Sequence, residues 1–139
     1  MNSSYRIQVP VAVGTPLEQI AVTNGVLHYS DDDPYVVAFE ITQPGTKDEF
    51  VTWHIGRDLL AAGYCSYGKP VGEGDMRIWR CDNGNGLHFE MRSPYGTATL
   101  HVAPYLVEEF LSESYSLVAE GKESVDVDAW IGRILEGQA

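Results

Sequence analysis

VTWHIGRDLLAAGYCSYGKPVGEGDMRIW, residues 51–79, contains in succession a strand, a short helix, a glycine-rich loop and a second strand. Val51, Trp53 and Ile55 alternate with more polar residues, which is typical of a half-buried strand. The period then lengthens over Arg57–Gly63, where leucines recur on one side, and this predicts a brief helix closed by its glycine. The pattern contains no recognisable reaction centre, so it favours a structural or binding role over an enzyme.

The loop after this helix is rich in glycine. Gly68, Gly72 and Gly74 predict sharp bends with positive φ, and alternation resumes over Met76–Trp79, which predicts the second strand. The loop does not fit a phosphate-binding loop, because two of its side chains are acidic and a strand follows it instead of a helix.

Outside this stretch, further strand patterns occur on both sides, separated by turn residues. The predicted strands are Tyr5–Val13, Ile20–Tyr29, Tyr35–Thr42, Phe50–Ile55, Met76–Cys81, Leu87–Arg92 and Thr97–Val102. Asn24–Gly25 is the dipeptide that favours a tight type I′ turn, so we expect a hairpin turn there. Most strands should run antiparallel to their neighbours.

The C-terminal part of the sequence has helical periodicity. Pro104 stands at a first helical position, and an apolar stripe follows it through Val118. Asp126 is a candidate N-cap for a last helix, whose apolar face consists of Trp130, Ile131, Ile134 and Leu135. That face suits either self-assembly or the core of the monomer. The fold class predicted is α+β: an antiparallel sheet with two C-terminal helices and one short inserted helix.

Composition limits the domain organisation and the compartment. The 139 residues are 44% hydrophobic, which predicts a single domain over 1–139 with a real core. No apolar run reaches the about 20 residues of a membrane span, and the N-terminus lacks the order of a secretory signal. We therefore expect a cytoplasmic protein without membrane insertion, in which Cys65 and Cys81 remain free thiols.

The charge is strongly negative. The net charge is −11, and the nine Lys and Arg residues form no cluster. Because nucleic-acid affinity depends on cations that neutralise phosphates, nucleic acid is not an expected partner.

Residues suited to catalysis or metal binding are present, but without the usual spacings. His54, His88 and His101 occupy the polar phase of strand patterns, which predicts side chains facing solvent. Metal-ligand spacings such as HxH, HExxH and CxxC do not occur, nor does a GxSxG elbow. We expect no catalytic residues, no metal and no cofactor.

One cation and several aromatic residues remain as candidates for a protein-interaction surface. Arg57 has no obvious local partner; an ion pair with an acidic residue of the Gly72–Asp75 loop is favoured over a contact with another protein. Large amphipathic rings in or near turns are common in binding surfaces, although they also pack over sheet edges. The candidate surface is Arg57, Tyr64, Tyr67, Trp79 and Tyr95.

Five sequence motifs together resemble the SsgA-like family of actinobacterial sporulation and cell-division proteins. They are DPYVVAFEI at Asp33–Ile41, WxxxRDLLAxG at Trp53–Gly63, PxGxGDxRxW at Pro70–Trp79, SPxG at Ser93–Gly96 and an acidic-apolar segment around Asp126–Leu135. Their common order and spacing make the resemblance more specific than any single motif.

The resemblance implies properties that composition and periodicity do not give. It implies a strongly bent sheet of the Whirly-like type, a homotrimer, and a non-enzymatic role at division septa. There the protein would help to position or recruit the tubulin-like protein FtsZ, together with an SsgA-type paralogue. Because Whirly-like domains bind single-stranded nucleic acid, such binding is the alternative function, although the acidic charge opposes it.

Overall fold

The computed structural model describes residues 3–15, 18–81 and 85–123. In these residues the chain forms seven strands and two helices. In chain order they are β1 (Ser4–Gly14), β2 (Gln19–Ser30), β3 (Val36–Thr42), β4 (Phe50–Gly56), α1 (Arg57–Tyr64), β5 (Met76–Arg80), β6 (Leu87–Ser93), β7 (Gly96–Val102) and α2 (Pro104–Leu117). The predicted strands and the first two helices are confirmed, with bounds that differ by no more than one residue at either end.

The strands form one antiparallel sheet in the order β4-β3-β2-β1-β7-β6-β5. Between β1 and β7 only three residue pairs connect, from Ala12↔His101 to Gly14↔Thr99. The sheet curls around this narrow junction. The curl brings the rings of Phe39 on β3 and Phe89 on β6 to 5.3 Å from each other, although three strands separate β3 from β6 in the sheet. The α+β class with a bent antiparallel sheet is therefore confirmed.

The core lies between the two curled halves of the sheet. Alternate residues of every strand face inward, as the period of two requires. The fully buried side chains of the strands include Val9, Leu27, Phe39, Ile78 and Phe89.

One end of this core is covered by α2. The helix begins at Pro104, as predicted, and buries Val107, Phe110 and Leu111 against the sheet. The ring of Phe110 lies 6.1 Å from that of Tyr5 on β1. The helical stripe seen in the sequence is thus the face that closes one end of the curled sheet.

The hairpin turn predicted at Asn24–Gly25 is wrong. Both residues lie inside β2, where Gly25 pairs with Val9 on β1, and the β1–β2 connection is closed instead by a hydrogen bond from the Thr15 N–H to the Glu18 carbonyl. A Cβ atom at position 25 would lie 2.8 Å from the Phe39 ring. The glycine is therefore required by close packing of β2 against a core aromatic, and not by a turn.

The predicted last helix, with Trp130, Ile131, Ile134 and Leu135, lies outside the described residues. No helix in the described part of the chain is long and apolar enough to cross a membrane.

Candidate protein-interaction surfaces

Arg57, the first residue of α1, is buried and not on the surface. Its side chain is 1% exposed, and its guanidinium group lies between the rings of Tyr29 and Tyr115, at 4.8 and 4.4 Å from their centroids. A cation held between two aromatic faces is attracted by the negative charge density of both rings. Arg57 therefore cannot belong to an exposed interaction surface, contrary to the prediction.

The polar partners of Arg57 come from the end of α2 and the segment after it. Nη1 donates to the carbonyls of Ser114 at 3.1 Å and Val118 at 2.7 Å, and Nη2 donates to Glu123 Oε1 at 2.6 Å. The Ser114 carbonyl also accepts a hydrogen bond from the Val118 N–H at the end of α2. Carbonyls at the C-terminal end of a helix carry partial negative charge, so a cation is favoured there. The hydrogen bond from Arg57 also lowers the pKa of the Glu123 carboxyl.

The prediction that Arg57 forms an intramolecular ion pair is confirmed, but the predicted partner is wrong. The salt bridge is formed with Glu123 and not with the Gly72–Asp75 loop. Glu123 is 66 positions further along the chain. The curled sheet brings α1 under the end of α2, and no periodicity in the sequence signals that approach.

Tyr64 and Tyr67 form one cluster with Arg80 at the end of β5. The Arg80 guanidinium lies 4.8 Å from the Tyr64 ring and 4.6 Å from the Tyr67 ring. The Tyr64 hydroxyl donates to Glu108 Oε2 at 2.9 Å; desolvation and this hydrogen bond raise the pKa of Tyr64. Tyr67 is 56% exposed, so the cluster offers an aromatic face to the exterior.

Trp79 packs against a pair of histidines on the outer face of the sheet. Its ring is stacked on His88 with centroids 5.1 Å apart, and His88 in turn meets His101 edge to face at 4.1 Å. The two histidines are half-buried, and desolvation lowers the pKa of both; the charge of His101 lowers that of His88 further. Both histidines thus lie on the outer face of the sheet, as predicted, but they are only partly exposed there, whereas His54 is exposed.

The reason for this difference is the position of each strand in the sheet. His88 and His101 are opposite each other on neighbouring strands, and Trp79 is opposite His88, so the three rings shield one another from water. Cys81 Sγ also contacts His88 Nε2. Alternation along one strand cannot reveal such a row across three strands.

Both cysteines are free, as predicted. Among residues 3–15, 18–81 and 85–123, no group of three His, Cys, Asp or Glu side chains is arranged to hold a metal ion.

Tyr95 lies at the tip of the β6–β7 hairpin and is 98% exposed. Its backbone N–H donates to Ser93 Oγ at 3.1 Å, which fixes the turn. The hairpin tip is at the other end of β6 from Trp79 and the Tyr64–Tyr67 cluster. The structure thus separates the predicted aromatic residues into two regions.

A feature that sequence reasoning missed is an apolar pocket beside this hairpin tip. Its volume is about 460 Å³, and it lies at the end of the curled sheet that α2 does not cover. The inward-facing side chains that line it include Val13, Ile41, Val51, Trp53, Met91 and Leu100. They come from five strands that are distant in sequence, so no local motif marks the pocket.

A second cavity, of about 740 Å³, lies between α1 and α2. Ala61, Leu111 and Tyr115 provide apolar lining, and Asp58 and Glu120 stand among its acidic residues. An anionic ligand would be repelled there.

The fold and these surfaces define a class of protein that exposes aromatic and apolar side chains and whose described residues form no metal-binding cluster of His, Cys, Asp or Glu. The family model of the Streptomyces sporulation and cell division protein SsgA matches residues 23–123. The chain therefore belongs to the SsgA family. This family consists of sporulation and cell-division proteins and is not one of known enzymes.

Relatives within the family carry the name sporulation-specific cell division protein SsgB. The protein from Thermobifida fusca is 38% identical over 115 residues, which are 78% of this chain and 78% of the relative. That from Salinispora tropica is 30% identical, over 99% of this chain and 93% of the relative. These relatives support a role in cell division.

Two solved structures have the same fold. An SsgA-like sporulation-specific cell division protein from Thermobifida fusca superposes with a TM-score of 0.81 at 32% identity, covering 95% of this chain and 96% of the other. A structure of SsgB from Streptomyces coelicolor, in which mutations correlate to longitudinal cell division during sporulation, gives a TM-score of 0.76 at 28% identity, covering 88% and 94%.

Proposed function

We propose that this chain is a non-enzymatic protein that helps to position or recruit FtsZ at the septa of sporulating cells through protein–protein contacts. In this proposal it works in the cytoplasm as a homotrimer, together with an SsgA-type paralogue. The observation that carries the proposal is membership of a cell-division family combined with large apolar and aromatic side chains that remain exposed, among them Tyr67 and Tyr95.

A trimer suits a recruiting protein for a physical reason. Three copies of one modest contact act together, because the first contact raises the effective concentration of the other two. The net charge of −11 keeps the unbound form soluble. Contacts with an acidic partner then have to be apolar or involve local cations such as Arg80.

Tyr64, Tyr67, Trp79 and Tyr95 remain the proposed contact residues, without the buried Arg57. Tyr67 and Tyr95 are the best first targets, because both are exposed and truncation there removes little internal packing. Aromatic anchors of an interface often contribute about 2 kcal/mol or more, which exceeds a tenfold change in affinity.

The experiment is a binding titration of purified FtsZ with the wild type and the variants Tyr67→Ser and Tyr95→Ser. At least one variant should weaken binding more than tenfold. Tyr105→Ser is the matched control, since Tyr105 is an exposed tyrosine on α2 outside the proposed surface. Wild-type protein that does not bind FtsZ would refute the recruiting role, and equal binding by all variants would refute the proposed surface.

Light scattering tests the trimer and the role of the predicted last helix. The wild type should have three times the mass of one chain. If the helix mediates self-assembly, Trp130→Ala should lower the mass and leave the fold intact. If it belongs to the core, the same substitution should cost about 2–5 kcal/mol of unfolding free energy.

Binding of single-stranded nucleic acid remains the alternative. Tyr67 lies beside the cation Arg80, and such a pair could stack a base. The acidic net charge opposes this function. A titration with labelled oligonucleotide at low salt decides: micromolar, salt-sensitive binding would support nucleic acid as the partner.

A further inference from the structure

The two edge strands of the sheet, β4 and β5, differ in how their outer sides are covered. β5 is covered by the chain that precedes it. Val71 and Ile78 exchange two backbone hydrogen bonds. The Arg80 N–H donates to the Ser66 carbonyl, and the Gly68 N–H donates to the Arg80 carbonyl. At β4, residues 3–15, 18–81 and 85–123 provide no backbone partner on the side away from β3.

β4 also lacks the features that usually protect an edge strand. It has seven residues in continuous register with β3, and no proline, lysine or bulge interrupts it. Phe50 and Val51 expose more than half of their surface. An edge of this kind presents a row of backbone N–H and C=O groups to which another strand can bind.

The apolar pocket lies directly beside this edge. Val51 and Trp53 belong both to β4 and to the lining of the pocket, and Met91 lines it from the opposite half of the sheet. A strand added next to β4 would continue the sheet, so every second side chain of that strand would face the pocket. The pocket therefore selects for apolar residues at alternate positions.

The charges near β4 limit which residues suit the positions of the added strand that face away from the pocket. Asp48 and Glu49 directly precede β4 and follow a single cation, Lys47, and Glu40 is opposite Thr52 on the neighbouring strand. None of these three carboxylates forms a salt bridge with a cation in the described part of the chain. Lys or Arg residues in an added strand would be attracted to this acidic surround, whereas acidic residues would be repelled.

We propose that the outer edge of β4 and the adjoining pocket bind an extended segment of a partner protein, in which apolar side chains alternate with polar ones that include Lys or Arg. This inference rests on the proposed function, since it assigns a docking site to a protein that acts by protein–protein contacts. It adds the backbone geometry and the chemistry of the segment that is bound.

The test selects nine-residue peptides from a random phage-displayed library against the full chain, and the strongest binder is then synthesised. The selected sequences should alternate apolar and polar residues and carry a net positive charge. Val51→Lys in the protein should weaken the peptide at least tenfold. Tyr105→Lys is the control and should leave the affinity within twofold, because Tyr105 is a similarly exposed residue on α2.

Backbone pairing is tested with two N-methylated forms of the same peptide, methylated at the even or at the odd amides. Only one set of amides faces the edge of an antiparallel or parallel partner strand. One form should therefore lose at least tenfold in affinity and the other should bind within twofold of the parent. Equal behaviour of the two forms, or a peptide unaffected by Val51→Lys, overturns the proposal.

Failure to recover any peptide also overturns it, including the case in which a second copy or the chain beyond Glu123 already covers the edge. A parallel titration with FtsZ separates the two proposals. FtsZ binding without peptide binding refutes only the β4 site, whereas peptide binding without FtsZ binding refutes only the proposed partner.

Discussion

The two edge strands of the sheet, β4 and β5, differ in how much of the chain covers them. β5 has a glycine-rich loop hydrogen-bonded along its outer side and α1 packed against it, so its edge is internal to the protein. The outer side of β4 is free of backbone partners in the described residues, and its apolar side chains remain exposed. The difference indicates that β5 serves stability, while β4 is available for binding.

The largest expected difference between the edges is the cost of truncating a side chain. Ile78 on β5 is fully buried, so Ile78→Ala should lower the free energy of unfolding by about 2–5 kcal/mol. Val51 on β4 is half-exposed, and Val51→Ala should change it by about 0.5 kcal/mol or less. Urea denaturation of both variants measures this, and equal losses would contradict the contrast between the edges.

A second difference concerns the glycines of the two edge loops. Gly72 has φ +123°, and an added Cβ would lie 2.5 Å from the Met76 carbonyl oxygen. Gly72→Ala should therefore combine backbone strain of about 1–3 kcal/mol with a steric clash. Gly45, in the β3–β4 loop, has φ +85° and open space around it, so Gly45→Ala should show only strain of about 1–2 kcal/mol. The melting temperature of Gly72→Ala should be lower than that of Gly45→Ala. The reverse order would mean that the glycine-rich loop does not pack tightly on β5.

The aromatic cluster on β5 should give a smaller effect. Arg80→Gln removes a cation from between Tyr64 and Tyr67, which should cost about 0.5–2 kcal/mol. Lys47, in the loop before β4, is exposed, and Lys47→Gln should be close to neutral. The tyrosine fluorescence of the folded protein should change only in the Arg80 variant. An unchanged midpoint in urea for Arg80→Gln would remove the cluster as a contribution to the closed edge.

The smallest expected effect is a pH dependence of stability that arises in the half of the sheet containing β5, β6 and β7. Desolvation lowers the pKa of His88 and His101, so the folded state binds fewer protons than the unfolded state. Their contribution to stability is complete above the unfolded pKa of about 6.5 and is lost as the pH falls below it.

The double variant His88→Asn/His101→Asn should therefore flatten the decline in stability on acidification from about pH 7.5 towards pH 5.5. His54→Asn, on the exposed face of β4, controls for loss of a single surface imidazole. Denaturation midpoints across this range provide the measurement, and an identical slope in the wild type and the double variant would refute the burial of the pair.

Local patterns predicted most elements because each depends on neighbouring residues. Alternation gave the strands, and Pro104 with its apolar stripe gave α2. Asn24–Gly25 failed because the same two residues that favour a turn can lie inside a long strand when a core ring, Phe39, leaves no room for a Cβ atom. Turn propensity is a local quantity, and here packing across strands overrides it.

The exposure of the candidate surface residues was predicted only in part. Tyr67 and Tyr95 are exposed, as expected of binding residues, whereas Arg57 is enclosed by α2 and two tyrosines. A polar residue at the start of a helix gives no sign of whether a second helix will cover it. Its burial follows from the meeting of α1 and α2, which are separated in the chain by residues 65–103.

The sequence by itself determined the fold class, the family and most of the secondary structure, because periodicity and motif spacing are properties of the chain read in order. Only the tertiary structure decided which side chains are exposed, which edge is covered and where the apolar pocket lies. These depend on the curl of the sheet, which brings together residues from strands far apart in sequence, and contacts of that kind leave no periodic trace in the chain.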